Sequence, residues 1–364
     1  MPSARQKKDD LFFMHRCLSL AAKGEGEVSP NPLVGAVVVR DGRIISEGFH
    51  EKFGKPHAEV NALKGISAKG ATLYVSLEPC SHCGGCKKTP PCVPLVISSG
   101  VSRVVIATED PNPCVDGCGI VQLRGAGISV DVGVMEKEAQ EQNAPFFKFM
   151  KTAKPFFLVK LAQSANGKIG VRGAGKVWLS GKQFDKYCHL LRNRYDGILV
   201  GANTVINDDP RLTCRMKGGK NPTRIILDSN LRISLSARVL KNSKKESVLV
   251  FTSEKRDRKK EAALRKSGVE VIPCGKTKVD LKKLSALLPA YGVYSVLVEG
   301  GAQTIESFIK AKLADRLVLA ISPKKITNAN AVASPITPAI LRSLKGAKKE
   351  KMGKDSVVVG NFKP

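Results

Sequence analysis

Apolar residues recur at close to helical spacing over Leu11, Phe12, Met14, His15, Leu18 and Ala22, which predicts a helix that the Gly24-Glu25-Gly26 stretch ends. Apolar runs at 34–40 and 44–48 then flank Asp41-Gly42, the dipeptide best suited to a tight hairpin because glycine tolerates positive φ. Further on, the pattern predicts a helix over 57–63, a buried strand over 72–77, a helix over 91–99 and a strand over 102–108. A helix over 120–124, a strand over 128–132 and a helix over 136–150 follow. This alternation implies a three-layer α/β domain over residues 1–150, with a boundary near Lys151-Thr152-Ala153-Lys154-Pro155. Short β-rich runs at 156–161, 197–200, 224–227, 247–251, 269–272, 295–298 and 317–320 alternate with helical segments, giving a second α/β domain over 155–364. No solenoid repeat is visible, so the halves are different modules.

A chain of 364 residues exceeds the roughly 250 that one core supports, which agrees with two domains. Charge changes the picture more: 60 Lys and Arg against 32 Asp and Glu leave +28, a field that attracts phosphorylated substrates and nucleic acids alike. The basic clusters at 241–245, 255–260, 276–283 and 345–354 fall mostly between apolar stretches, the pattern of solvated loops rather than of a nucleic-acid surface. His15 and Arg16 interrupt the first apolar stretch, unlike a secretion leader, and no window approaches the ~20 apolar residues that span a bilayer. A cytoplasmic protein without membrane association is expected. Cys80, Cys83, Cys86, Cys92, Cys114 and Cys118 crowd one region, which favours metal chemistry in a reducing compartment over disulfides.

His57-Ala58-Glu59 and Pro79-Cys80-Ser81-His82-Cys83 together match the His-x-Glu and Pro-Cys-x-x-Cys signature of zinc nucleobase deaminases. His57 and Cys80 are each expected to start a helix, where free N–H groups stabilise thiolate and the site's negative charge. Three protein ligands leave the fourth zinc position to water, whose pKa zinc brings to about neutral so that it attacks a ring carbon bearing an amine. Glu59 is the expected proton carrier, from water to ring nitrogen and leaving amine. A closed structural zinc site has no use for a carboxylate two residues after its histidine. The third ligand stays open: Cys83 gives the literal spacing, whereas Cys92 follows Thr89-Pro90-Pro91, and proline suits a helix start. Cys83, Cys86, Cys114 and Cys118 are either free thiols or a second tetrahedral thiolate site.

Asn31-Pro32-Leu33-Val34-Gly35, His57-Ala58-Glu59-Val60, Leu77-Glu78-Pro79-Cys80-Ser81-His82, Thr89-Pro90-Pro91-Cys92 and Asp110-Pro111-Asn112-Pro113 resemble the RibD family of bifunctional riboflavin-biosynthesis proteins. The resemblance covers nearly the whole chain. It implies a cytidine-deaminase-like domain that removes an amine from diaminohydroxyphosphoribosylaminopyrimidine, then a dihydrofolate-reductase-like domain that reduces the product's ribose with NADPH. It also supports Cys92 as third ligand, although the Cys80 to Cys92 segment is a few residues longer than the family pattern and adds Cys83 and Cys86. By resemblance, Asn31, Asp110 and Asn112 hold the pyrimidine and Lys88 approaches the ribose phosphate; Asn31 and Asn112 also precede prolines, as turn formers do.

In the second half no Gly-x-Gly-x-x-Gly follows a strand, so a Rossmann site is not indicated. Val296-Leu297-Val298-Glu299-Gly300-Gly301 leading into 302–310 reads as strand, glycine turn and helix, whose first N–H groups suit phosphate. The resemblance extends here through Gly201-Ala202-Asn203-Thr204-Val205 and Asn207-Asp208-Asp209-Pro210-Arg211-Leu212-Thr213-Cys214-Arg215. It implies NADPH contacts at Ala162, Trp178, Thr204, Asp208, Ser229, Gly301, Ala302, Gln303, Thr304, Ile305, Glu306 and Ser307, and substrate contacts at Lys176, Arg192, Leu212, Arg215 and Glu299. Arginine suits a ribose phosphate because its fork pairs with two oxygens. Lys160, Asp208 and Glu299 are expected near the ribose being reduced.

Three departures bear on the reductase: Lys176 replaces the family's serine, Ala165-Asn166-Gly167 its Leu-Asp-Gly, and Pro323-Lys324-Lys325-Ile326-Thr327-Asn328 its Pro-Lys-x-x-Gly-Gly. Rival readings are a deaminase with a degenerate reductase, a tRNA deaminase, because residues 72–80 also resemble that group, and a basic zinc scaffold. The main reading expects zinc, NADPH, a small phosphorylated pyrimidine and self-association, without nucleic acid.

Overall fold

Asp41 and Gly42, at φ 50° and 71°, close the first hairpin of the computed structural model, which describes residues 3–81, 89–113, 115–175 and 177–363. The hairpin belongs to the first of two units, Met1–Ala153 and Lys154–Pro364.

The first unit runs α1 (Ala4–Ala21), β1 (Gly35–Arg40), β2 (Arg43–Phe49), α2 (Ala58–Leu63), β3 (Thr72–Val75), α3 (Cys92–Ser98), β4 (Arg103–Ile106), α4 (Cys118–Gly125), β5 (Ser129–Val132), α5 (Glu136–Gln142) and α6 (Ala144–Thr152). Its sheet has the order β2-β1-β3-β4-β5, with β1 antiparallel to β2 and β3 and the rest parallel. Strand alternation sends Ala36 and Val38 to one face, with Ala58, Ala62, Val93, Val96 and Leu123, and Val37 and Val39 to the other, with Phe13, Met14 and Cys17. The result is three layers with two apolar cores.

One helix expected over 136–150 is two. The break falls at Asn143, whose Oδ1 accepts the Leu33 N–H at 2.8 Å and whose Nδ2 donates to the Leu33 carbonyl at 2.9 Å. Two tertiary hydrogen bonds to a buried amide offset the lost helical continuity and pin the loop that carries Asn31.

The second unit contains β6 (Phe156–Gln163), β7 (Lys168–Val171), α7 (Lys182–Arg194), β8 (Gly197–Gly201), α8 (Ala202–Asp208), β9 (Thr223–Leu227), β10 (Val248–Thr252), α9 (Arg258–Lys266), β11 (Glu270–Pro273), α10 (Leu281–Leu287), β12 (Ser295–Val298), α11 (Ala302–Lys310), β13 (Arg316–Ile321), β14 (Ala331–Ala333), α12 (Pro338–Ser343), β15 (Lys345–Met352) and β16 (Asp355–Asn361). The order is β11-β10-β9-β8-β12-β6-β13-β16-β15, parallel from β11 through β13 and antiparallel at the last two strands. Four strands have no counterpart in the hydrophobic pattern. β7 and β14 form a small separate pair, and β15 is an exposed edge of Lys345, Lys348, Lys349 and Lys351, where charge discourages further strand pairing. Among the described residues no helix is long and apolar enough to cross a membrane.

Candidate active sites

In the first unit, His57 caps the N-terminus of α2 and Cys92 opens α3, preceded by Pro91 at the cap. Cys80, expected at a helix start, lies in irregular chain after β3, and the helix that the described residues show beside it starts at Cys92, behind the prolines at 90 and 91 that suit a helix start. The Cys92 N–H reaches back to the Cys80 carbonyl at 2.9 Å and to its Sγ at 3.4 Å. His57 Nδ1 then stands 3.5 Å from Cys80 Sγ and 3.4 Å from Cys92 Sγ. A tetrahedral zinc with Zn–N of about 2.0–2.1 Å and Zn–S of about 2.3 Å requires an N to S separation of about 3.6 Å. The three donors therefore fit the ion, and they form the group suited to a metal among the described residues.

Glu59, in the first turn of α2, is 3% exposed. Burial pushes its carboxyl up to about 7, and the neighbouring Cys80 adds to the rise. Sequence reading missed Thr89, whose hydroxyl lies 3.0 Å from His57 Nε2 and so takes the imidazole's second nitrogen while Nδ1 faces the sulfurs.

It also missed His50. The Pro56 carbonyl, 3.0 Å from His50 Nδ1, can only accept, so Nδ1 carries the proton and Nε2 accepts from Asn31 Nδ2 at 3.1 Å. With Nδ2 committed, Asn31 presents Oδ1 as its remaining acceptor. Asp110 Oδ1 accepts the Asn112 N–H at 2.9 Å, so these two expected pyrimidine residues share one turn. Lys88, Cys83, Cys86 and Cys114 lie outside the described residues; Cys118 is exposed at the start of α4.

In the second unit the carboxyl ends of the parallel strands β9, β8, β12 and β6 bring together Ser229, Gly201 to Thr204, Glu299 to Gly301 and Ala162. This edge is where open α/β sheets bind ligands. A Cβ on Gly300 would lie 2.5 Å from Thr304 Cβ, so the turn into α11 closes only without a side chain there. The Gly301 N–H donates to Thr204 Oγ1 at 3.1 Å, and no side chain caps α11. Its first-turn N–H groups suit a phosphate.

Beside this cradle Glu299 Oε2 pairs with Arg192 at 2.8 Å and Oε1 lies 3.8 Å from Lys160 Nζ. Burial works to raise the Glu299 pKa, but Lys160 and Arg192 outweigh it and hold the carboxyl at about 2. Glu299 Oε1 has no hydrogen-bond partner among the described residues, an acceptor left for a ligand. Arg192 also donates to the Thr213 carbonyl at 3.2 Å, and His189 Nδ1 accepts the Arg215 N–H at 3.2 Å, which ties the chain at Thr213 to Arg192 and at Arg215 to α7. Leu212 is buried at φ 57°, and the Arg215 side chain is half exposed, 4.0 Å from Asp185. Asp208 ends α8, whereas Gln303, Ile305, Glu306 and Ser307 follow Ala302 and Thr304 along α11. Trp178 is 58% exposed, and Lys176 lies outside the described residues. The altered 323–328 stretch is ordered by Asn166, which bonds the Ile326 carbonyl and N–H at 2.8 and 3.1 Å.

A His-Cys-Cys cluster beside a buried glutamate has the chemistry of a metal-dependent deaminase, and the same chain carries a second α/β unit with a glycine-closed, uncapped helix start at its strand ends. The first unit matches the cytidine and deoxycytidylate deaminase zinc-binding region over residues 7–108, and the second the RibD C-terminal domain over 155–358. The chain is 44% identical to the riboflavin biosynthesis protein RibD of Aquifex aeolicus over 354 residues, 96% of this chain and 97% of that one. It is 38% identical to RibD of Escherichia coli, over 86% and 88%. The solved diaminohydroxyphosphoribosylaminopyrimidine deaminase/5-amino-6-(5-phosphoribosylamino)uracil reductase of Thermotoga maritima superposes with a TM-score of 0.85 at 37% identity, covering 98% of this chain and 99% of that one. Acinetobacter baumannii RibD also gives 0.85, at 32% identity, covering 98% and 100%.

The chain belongs to the RibD family. It is a bifunctional enzyme of riboflavin biosynthesis with a zinc-dependent deaminase domain and an NADPH-dependent reductase domain, and the presence of both favours this reading over an RNA deaminase or a scaffold.

Proposed function

We propose that the first domain deaminates diaminohydroxyphosphoribosylaminopyrimidine and the second reduces the ribose of the product to a ribityl chain, in the cytoplasm and as a self-associated enzyme. The observation that carries this is the meeting of His57, Cys80, Cys92 and buried Glu59 in one unit and of Glu299, Lys160 and Arg192 beside a glycine-closed cradle in the other.

His57 Nδ1 and the Cys80 and Cys92 sulfurs would hold zinc, which when bound would supply the Lewis acidity that makes water a nucleophile near neutral pH. Glu59 takes the water proton, delivers it to the ring nitrogen and helps the amine leave as ammonia. Asn31, Asp110 and Asn112 orient the pyrimidine, with Lys88 toward the phosphate. In the reductase, Thr204, Asp208, Ser229, Ala162, Trp178 and residues 301–307 would hold NADPH, which when bound would supply the hydride. Arg192, Leu212, Arg215 and Lys176 hold the product, and Lys160, Glu299 and Asp208 steer a proton to the ribose oxygen.

Purified protein given the diaminopyrimidinone ribosyl phosphate is expected to release ammonia without NADPH and to oxidise NADPH only after deamination. A chelator strong enough to remove zinc abolishes the first and spares reduction of pre-deaminated substrate. Ammonia without NADPH oxidation overturns the reductase half. The chain's one tryptophan gives a direct binding assay: NADPH quenches Trp178 fluorescence saturably, and Trp178→Phe retains the fold but weakens NADPH binding about tenfold, or about 1.4 kcal/mol.

A further inference from the structure

Glu78 stands two residues before Cys80 and is 3% exposed, yet the chemistry above gives it no task. Its own N–H donates to the Thr108 carbonyl at 3.0 Å, which aligns it with the chain leaving β4. Its carboxylate accepts four backbone hydrogen bonds. Oε2 takes the N–H of Asp110 at 3.2 Å and of Gly117 at 3.1 Å; Oε1 takes those of Gly119 at 2.9 Å and Ile120 at 3.3 Å. Two of these donors belong to the first turn of α4, whose cap Gly117 has no side chain to serve them. A Cβ on Gly119 would lie 2.4 Å from the Pro79 carbonyl and 3.0 Å from Glu78 Oε1, so the close approach requires glycine.

One buried carboxylate thus fastens both ends of the segment that runs from Asp110 to α4. Between those anchors Asp110 Oδ1 takes the Asn112 N–H, and the Asn112 carbonyl takes the N–H groups of Val115 at 2.8 Å and Asp116 at 3.0 Å. The segment is a relay of hydrogen bonds that begins at Glu78, whereas Cys80 follows Glu78 by a single intervening proline. The metal-ligand turn and the loop of Asp110 and Asn112 are therefore referenced to the same side chain.

We infer that Glu78 is the positioning residue that fixes the pyrimidine-facing loop at a set distance from the metal ligands, and through that loop tunes affinity for the deaminase substrate. This rests on the proposed roles of Asp110 and Asn112. Glutamine at 78 keeps the shape but offers one oxygen, and its amide N–H groups face two of the four donors.

The test compares wild type with Glu78→Gln for zinc content, for KM and kcat of ammonia release from the diaminopyrimidinone ribosyl phosphate, and for amide hydrogen exchange. The expected result is one zinc per chain, a KM raised about tenfold or more, a smaller fall in kcat, and faster exchange at Asp110, Gly117, Gly119 and Ile120. A KM within twofold of wild type in the zinc-loaded variant overturns the inference. Should Glu78→Gln fail to retain zinc, Gly117→Ala replaces it: φ is 78° there and the space is open, so the substitution strains the helix start while leaving the carboxylate in place. An unchanged KM in that variant likewise overturns the inference. If wild type itself releases no ammonia from this compound, the substrate assignment fails and the inference with it; release by wild type with no change in the variants sinks the inference alone.

Discussion

Replacing Glu59 with glutamine is expected to leave one zinc per chain and reduce ammonia release by about 10²–10⁴-fold, the usual worth of a positioned proton carrier. The side chain is buried in the first turn of α2 and its neighbours are Cys80, Cys92 and His57. Because it is not one of the three donors that converge on the metal position, its loss removes proton transfer without removing a ligand. Metal analysis and NADPH-dependent reduction of pre-deaminated substrate measured on the same protein separate these effects. Loss of zinc in Glu59→Gln would make Glu59 part of the metal site, and undiminished ammonia release would remove it from the mechanism. His57→Ala is the contrasting variant, losing zinc and deamination together.

How much of this was legible in the sequence depends on whether a residue's role is local. Asp41-Gly42 fixes a hairpin through its own backbone preferences, and β-rich runs such as 295–298 declare themselves by composition. His57 and Glu59 are two residues apart on one short helix, so spacing alone exposes the pair. Cys80 and Cys92 are joined by the fold: α3 starts at Cys92, behind the prolines at 90 and 91, and the Cys92 N–H meets the Cys80 carbonyl. Spacing leaves Cys83 and Cys92 open; Cys92 meets His57 and Cys80 in the fold, whereas Cys83 lies outside the described residues. Asn143, His50 and Thr89 were invisible for a related reason. Each acts across the chain, Asn143 on Leu33, His50 on Asn31 and Thr89 on His57, and although Thr89 opens the Thr-Pro-Pro-Cys element, nothing in that element points to His57. The edge strand β15 carries lysines on both faces, so it lacks the period-two alternation that reveals a strand.

Glu299→Gln is expected to produce the largest loss of stability, confined to the second domain, together with loss of NADPH oxidation. The carboxylate sits between Arg192 and Lys160 and has almost no access to water. Removing its charge leaves two cations facing a neutral amide, and breaking such a buried pair costs about 3–5 kcal/mol. The pH dependence follows from the same arrangement. Lys160 and Arg192 hold the folded-state pKa at about 2 against the pull of burial, whereas an unfolded glutamate titrates at about 4.3. The contribution is therefore fully present above about pH 4.3, declines as pH falls below it, and is gone once pH passes about 2; a shift of this size is worth on the order of 3 kcal/mol. Thermal unfolding followed from pH 7 to pH 2 should show wild type and Glu299→Gln converging as pH drops. At neutral pH the variant's second domain should melt lower, and its zinc-dependent ammonia release should survive at temperatures where that domain has already unfolded. Curves that stay parallel down to pH 2 would mean that the charge of Glu299 does not stabilise this domain. NADPH oxidation retained by a folded Glu299→Gln protein would take the residue, and its orphaned oxygen Oε1, out of the reducing site.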